Sequence, residues 1–257
     1  MVWAAGRFLS RARLTGHPPT CEGRLHSLIP SLNALRLFCR RAFGRVYGPY
    51  ALRRIARGGV VHLRGRALLT DPEVLHPIHF LSTRVLVDAV TGLDLGGRRF
   101  LDMGAGSGAI GIFAAAAGAQ VTACDINPRA VTLTRQNFER NQLRGEVLES
   151  DLFAALPGRA FDLICFNLPF YEGEPKTPFE TALFGGRDLG TVRAFAAGCP
   201  AALTRDGSVL VLFSEDARRE SILRHFCEAG LILVEERVAS QWFERFHLAR
   251  FRAKPPR

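Results

Sequence analysis

The feature that most constrains this chain is a regular alternation of short apolar runs with helix-period segments, which begins at residue 98. RFLDMG reads as a strand and Ser107–Gly118 as a helix. QVTACDI and Pro128–Asn141 repeat the pair, with Pro128 suited to a first helical turn. VLESD, FDLICFN and SVLVLFSE supply three more strands with helices between them, and LILVEERVA and FHLARFRAK two closing ones. Strands separated by helices return by crossover rather than by hairpin, which aligns them in parallel and lays helices over the sheet. The expected fold is therefore α/β: a seven-stranded, mostly parallel sheet with helices on both faces.

The upstream quarter has a different pattern. Residues 31–55 carry apolar side chains at helical intervals (Leu32, Leu35, Phe38, Phe43, Val46) interrupted at Gly48-Pro49, and predict one or two helices. GGVVHLRGRALL (58–69) alternates around Gly65 and reads as a short hairpin. Ser82 is placed to cap a helix over Thr83–Val90. The chain thus divides into a basic, partly helical N-terminal segment (1–57), a hairpin and helix leading into the core (58–97), and the main α/β domain (98–257). Its 257 residues suit one sizeable core with an appendage.

Charge is distributed unevenly. Residues 1–70 hold thirteen arginines against a single acid, Glu22, whereas the other 187 residues carry 21 basic and 23 acidic side chains. Such a basic quarter suits contact with RNA or another polyanion. Arginine is also favoured generally, since Lys176 and Lys254 are the only lysines. The opening MVWAAGRFLSRARL is Arg-rich and free of acids, as mitochondrial transit segments are, but a cytoplasmic protein is the leading expectation. No apolar run reaches the roughly 18–20 residues of a membrane helix, so no membrane partner is expected. The longest, Gly108 to Val121, is mostly Ala and Gly and reads as a buried helix running into a strand. Cys21, Cys39, Cys124, Cys165, Cys199 and Cys227 are widely spaced with no C-x-x-C pair, which argues against a zinc site or a disulfide framework; no metal is expected. Cys124 and Cys165 fall in predicted buried strands, and His76 and His79, flanking Pro77, are read as packing residues.

Two constellations carry chemistry. In the first, Asp102 ends a strand and is followed by Gly104-Ala105-Gly106-Ser107-Gly108-Ala109, where glycines let the backbone turn sharply and a cofactor come close. Gly104-x-Gly106-x-x-Ala109, with Asp125 following, also satisfies a loose dinucleotide fingerprint, which leaves a nicotinamide enzyme open at this point. A carboxylate at Asp102 would repel a pyrophosphate but could meet a cationic amino group. Asp125 could accept hydrogen bonds from both hydroxyls of a ribose, although Asp125-x-Asn127-Pro128 is also a helix cap.

The second constellation is FDLICFNLPFYEG (161–173), an apolar strand ending in Asn167-Leu168-Pro169-Phe170. It resembles the (Asn/Asp)-Pro-Pro-(Tyr/Phe) motif of S-adenosylmethionine-dependent methyltransferases that act on amino groups attached to planar carbon. There the Asn167 side-chain oxygen and the Leu168 carbonyl would each accept an N–H of the acceptor, Phe170 would stack on its flat face, and Pro169 would fix the turn. Leu168 stands where a second Pro is usual. The resemblance implies a Rossmann-like fold with S-adenosyl-L-methionine as cofactor. Asp102, Gly104, Ala105, Gly106, Asp125, Ile126 and Asn167 would then lie around it, and Asp151 and Leu152 at the adenine. All these groups end strands on one edge of the sheet, where ligands of open α/β folds bind.

Further resemblance is to the release-factor glutamine methyltransferase (HemK-like) group. ALFGGRDLGTVRAF (182–195) matches its A-L-x-G-G-x-D-G segment, and the stretch around Pro77 its hairpin, proline and helix. The usual Arg-x-x-Glu-Thr-Glu after that proline is replaced by Ile78-His79-Phe80-Leu81-Ser82-Thr83. NLPFYEG is also similar to the corresponding stretch of ribosomal RNA guanine-N2 enzymes, and related motifs serve adenine-N6 enzymes. The expected activity is N-methyl transfer to a protein glutamine, in a translation factor for instance, with an RNA base as the alternative acceptor. A degenerate fold serving as an RNA-binding or scaffold module is the non-enzymatic alternative; Leu168 is its only support, and the intact Asp102, Asp125 and Asn167 oppose it.

Overall fold

A computed structural model of the chain describes residues 50–254 apart from 52, 242 and 243. The expectations for residues 1–49 lie outside the described residues; of the N-terminal segment, residues 50, 51 and 53–57 are helical.

The hairpin forms as its alternation requires. β1 (Gly59–Leu63) pairs antiparallel with β2 (Arg66–Thr70), and Arg64-Gly65 makes the turn with φ of 45° and 83°. Two successive positive φ values give a turn whose twist matches that of the strands it joins. Leu63 and Leu68 enter the main core. The fully buried Asn137 ties the hairpin down: its Nδ2 donates to Leu69 O and Ser107 O, and its Oδ1 accepts from Leu69 N.

After α1 (Leu81–Thr91), the chain runs β3 (Arg99–Met103), α2 (Ala109–Ala116), β4 (Gln120–Asp125), α3 (Pro128–Arg140), β5 (Glu146–Glu149) and β6 (Phe161–Asn167). It continues through α4 (Gly190–Ala202), β7 (Leu203–Ser214), α5 (Arg219–Glu228), β8 (Leu231–Gln241) and β9 (Glu244–Ala253). The seven-stranded sheet has the order β5-β4-β3-β6-β7-β9-β8, with β3 to β7 parallel and β9 antiparallel to both its neighbours. The order reverses between β3 and β6, and such a switch point opens a crevice at the carboxyl ends of the strands.

Strand alternation sorts the core into two layers. Phe100, Val121, Ala123, Cys165 and Leu212 face α1, α2 and α3, while Leu101, Met103, Cys124, Phe166 and Phe213 face α4 and α5. The expected helices on both faces are therefore present. Cys124 and Cys165 are fully buried free thiols, and burial pushes Cys124 up to about 12. His76 is also buried, its Nδ1 accepting from the Ile78 and His79 amides, and burial with the charges of His79 and Arg54 holds it down at about 4.

Two helix starts differ from expectation. The helix after the glycine loop begins at Ala109 rather than Ser107, because Gly108 takes φ of 75°. More consequentially, Ser82 does not cap α1. The helix starts two residues earlier, at Leu81, with Phe80 at the cap position and no side-chain cap hydrogen bond. Asn127, by contrast, does cap α3, its Oδ1 accepting from Arg129 N at 3.0 Å, with Pro128 beginning the helix.

Candidate active site

A cleft of about 330 Å³ opens at the carboxyl ends of β3, β4 and β6. Its floor is the glycine loop, where Gly104 and Gly106 have φ of 63° and 56°, a region open chiefly to glycine. A Cβ on Gly104 would also stand 2.6 Å from Cε2 of Phe166, so this glycine is required on two counts. At the end of β4, Asp125 lines the cleft with both carboxylate oxygens engaged by backbone: Oδ2 accepts from Gly106 N at 2.8 Å and Oδ1 from Asn127 N at 2.9 Å. Burial raises its pKa, while N–H donation from Asn127, Gly106 and Ile126 opposes the rise. The carboxylate keeps acceptor capacity for a ligand hydroxyl. Beside it Ile126 is 52% exposed and faces the same cleft, as do Asp151 and Leu152 after β5.

The second motif supplies the other wall. Asn167, at the end of β6, donates from Nδ2 to Ser82 Oγ at 3.1 Å. Its Oδ1 is buried and has no hydrogen-bond partner among the described residues. An unpaired amide oxygen on a residue that lines a cavity has acceptor capacity left for a donor. Pro169 lines the cleft as well, with Phe184 and Thr181 from the segment that follows. That segment folds back on the motif: Tyr171 N donates to Leu183 O and Gly185 N to Tyr171 O. Gly185 packs so tightly that a Cβ would meet the Pro169 carbonyl oxygen at 2.5 Å. Gly185→Ala is therefore expected to push the Asn167–Pro169 turn outward and to cost about 1–3 kcal/mol of stability. Chemical denaturation checks this, and an unchanged midpoint would show that the two segments part without cost.

Residues 81–237 match the methyltransferase small domain family. The chain belongs to that family. Over 162 residues it is 35% identical to the ribosomal RNA small subunit methyltransferase C of Chromohalobacter salexigens, covering 59% of this chain and 48% of the relative. Over 124 residues it is 36% identical to the release factor glutamine methyltransferase of Deinococcus radiodurans, covering 44% of each. The chain thus spans less than half the length of either relative. A T. thermophilus 16S rRNA methyltransferase solved with AdoMet and guanosine superposes with a TM-score of 0.56 over 77% of this chain and 50% of that one; at 20% identity this shows a shared fold.

Two residues singled out from the sequence, Asp102 and Phe170, sit elsewhere than expected, and a third, Leu168, gains a partner of its own. Asp102 does not reach the cleft. Side chains alternate along β3, and Asp102 points with Phe100 toward α2, fully buried, its Oδ2 accepting from Gly111 N at 2.8 Å. Through Oδ2 it anchors the helix behind the glycine loop, while its buried Oδ1 has no hydrogen-bond partner among the described residues. Leu168 turns its side chain into the lower core layer, and its N–H donates to Leu212 O at 3.0 Å, a bond that the usual proline could not make. Phe170 packs against the same layer and against Tyr171, with ring centroids 4.7 Å apart; the aromatic rings that do line the cleft are Phe166 and Phe184.

The buried Asp102 carries a pH prediction. Burial pushes its carboxyl up to about 8, opposed by the Gly111 N–H and reinforced by the charge of Asp125. A carboxyl raised on folding holds its proton in the native state while the unfolded chain has released it, so stability falls as pH rises from the unfolded pKa toward 8. His76, lowered to about 4, imposes the opposite slope below pH 6.5, and Cys124 contributes only above its ordinary value of 9.0. Between pH 6.5 and 8 the unfolding free energy should therefore drop by about 2 kcal/mol, and Asp102→Asn should flatten the slope. Urea unfolding at the two pH values measures it; an equally steep slope in the variant would show that Asp102 is ionised throughout.

Proposed function

We propose that the protein is an S-adenosylmethionine-dependent N-methyltransferase whose acceptor is a planar nitrogen, specifically the side-chain amide of a glutamine in a protein. The observation that carries this reading is the unpaired, buried Oδ1 of Asn167, a residue of the cleft wall.

The residues of the cleft suit this cofactor. Among the described residues its lining includes Glu73, Asp125 and Asp151 and no Lys or Arg. A pyrophosphate would have no cation to meet there, whereas a cofactor with a sulfonium, an amino group and no phosphate is compatible. This electrostatic balance also disfavours the nicotinamide alternative. Asp125 would take the ribose hydroxyls, Ile126 and Leu152 the faces of the adenine, Asp151 its amino group, and the Gly104–Gly106 backbone the amino-acid end. When bound, the cofactor supplies an electrophilic methyl group.

The protein's own part is positioning. A glutamine amide nitrogen is a poor nucleophile because its lone pair is delocalised. Asn167 Oδ1 would accept one of its N–H bonds, and the Leu168 carbonyl the other. Two acceptors hold the nitrogen so that its lone pair turns out of conjugation and toward the cleft, and holding reactants in register supplies much of the rate. The surplus proton leaves to water once the new bond has formed, so no strong base is required. Pro169, Phe184 and Thr181 enclose the acceptor in uncharged surface.

A second reading, an RNA base as acceptor, is favoured by one observation. Arg53, Arg54, Arg57, Arg64 and Arg66 fall within residues 50–70, which contain no acid. Titration with S-adenosylhomocysteine followed by a labelled-methyl assay on protein and RNA fractions separates the two. Label recovered as N-methylglutamine supports the first reading. Label in RNA that falls steeply with salt supports the second. Absence of S-adenosylhomocysteine binding would overturn both and favour the scaffold alternative.

A further inference from the structure

Ser82 lies in the first turn of α1, almost fully buried, and contributes nothing to capping that helix. Among the described residues its hydroxyl is bonded from 85 residues further along the chain, by the Nδ2 of Asn167 at 3.1 Å. We propose that Ser82 is a positioning residue that orients the Asn167 amide so that its oxygen, not its nitrogen, faces the acceptor. The inference rests on the methyl-transfer reading of the site and names the group on which its geometry depends.

The two ends of an asparagine side chain have nearly the same shape, so packing alone does not choose between the amide and its flipped form. Their hydrogen-bonding capacities differ: the nitrogen has two donors and the oxygen two lone pairs. In the observed orientation Ser82 Oγ accepts one N–H of the nitrogen, and the oxygen is left unpaired. In the flipped orientation the serine hydroxyl would donate to the oxygen, and the nitrogen would face the cleft with its N–H bonds unmet. Unmet buried N–H groups are rarer in proteins than under-used carbonyl oxygens, which ranks the observed form lower in energy. The flipped form would also present donors to the N–H donors of the acceptor. Without the Ser82 oxygen, the bias toward the productive form is lost.

This placement gives the departure at Ile78-His79-Phe80-Leu81-Ser82-Thr83 a physical role. Here α1 contributes a hydroxyl to the back of the Asn167 amide while its neighbour Thr83 lines the cleft.

The test is a double-mutant cycle with a second readout in the cofactor-free protein. S82A should lower kcat by about tenfold, the worth of one buried hydrogen bond, with KM and S-adenosylhomocysteine affinity within about twofold of wild type. S82T, which keeps the hydroxyl, should restore most of the loss. In an N167D background the two oxygens are equivalent and no orientation is wrong, so the cost of S82A should shrink to about twofold. In the free protein, the Asn167 side-chain N–H signals in an asparagine-labelled NMR sample should exchange with solvent faster in S82A. An equal loss in both backgrounds would overturn the proposal and make Ser82 a packing residue, as would unchanged amide exchange with unchanged kcat. Slow exchange in a wild-type protein that transfers no methyl group would instead sink the methyl-transfer reading, and the positioning role with it, while leaving the hydrogen bond itself in place.

Discussion

Replacing Asn167 with alanine is expected to lower kcat by on the order of 10²–10³ while leaving S-adenosylhomocysteine affinity within about twofold. The magnitude is that of deleting one preorganised polar group aimed at the reacting centre. Asn167 Oδ1 has no partner among the described residues, so its deletion removes no folding contact on that side; the only bond lost is Nδ2 to Ser82. The substitution should therefore act on the reaction and not on the fold. Single-turnover kinetics on the methylated fraction, with calorimetry of the product cofactor, separates the two effects. Equal losses in kcat and affinity would make Asn167 a cofactor ligand and would remove the observation on which the proposed function stands.

Asp125→Ala should show the converse. Cofactor affinity is expected to fall by about 10- to 100-fold, the worth of one or two hydrogen bonds to a charged group, with kcat at saturating cofactor much less affected. Part of that loss would come from the loop, since Asp125 holds both Gly106 N and Asn127 N. Asp125→Asn retains one carbonyl oxygen and should recover part of the affinity. Calorimetric titration decides: an unchanged Kd in the alanine variant would refute the ribose role and reduce Asp125 to a loop anchor. Together the two variants assign binding to the end of β4 and transfer to the end of β6, which is the division of labour expected where strands on either side of a switch point contribute different groups.

Much of this architecture was legible in the chain itself. Strand and helix order depends on local periodicity and on Gly, Pro and Asn at the joints, and these are properties of neighbouring residues. RFLDMG, QVTACDI and FDLICFN form strands where they were expected, Pro128 begins its helix, and Gly65 turns the hairpin. The grouping of Gly104, Asp125, Asp151 and Asn167 at one edge followed as well, because each ends a strand and parallel strands end together. None of that required knowledge of which residues pack against which.

What only the tertiary structure decided was the direction of each side chain and its partners. Asp102 belongs to the right strand, yet it faces α2 and binds Gly111, because the parity of β3 relative to the layer above it is a property of packing. That Leu168 stands where a proline is usual has a structural counterpart only in the fold, where Leu212 O gives its N–H a partner. Phe170, expected to stack on an acceptor, packs half-buried against the core, and Phe166 and Phe184 line the cleft. Ser82 shows the limit most plainly. A serine before an apolar helix satisfies a local rule as a cap, and nothing local marks it as the partner of an asparagine 85 residues away. Periodicity and turn chemistry are encoded within a few residues of each position, whereas a hydrogen bond across the fold exists only once the sheet has brought the two ends together.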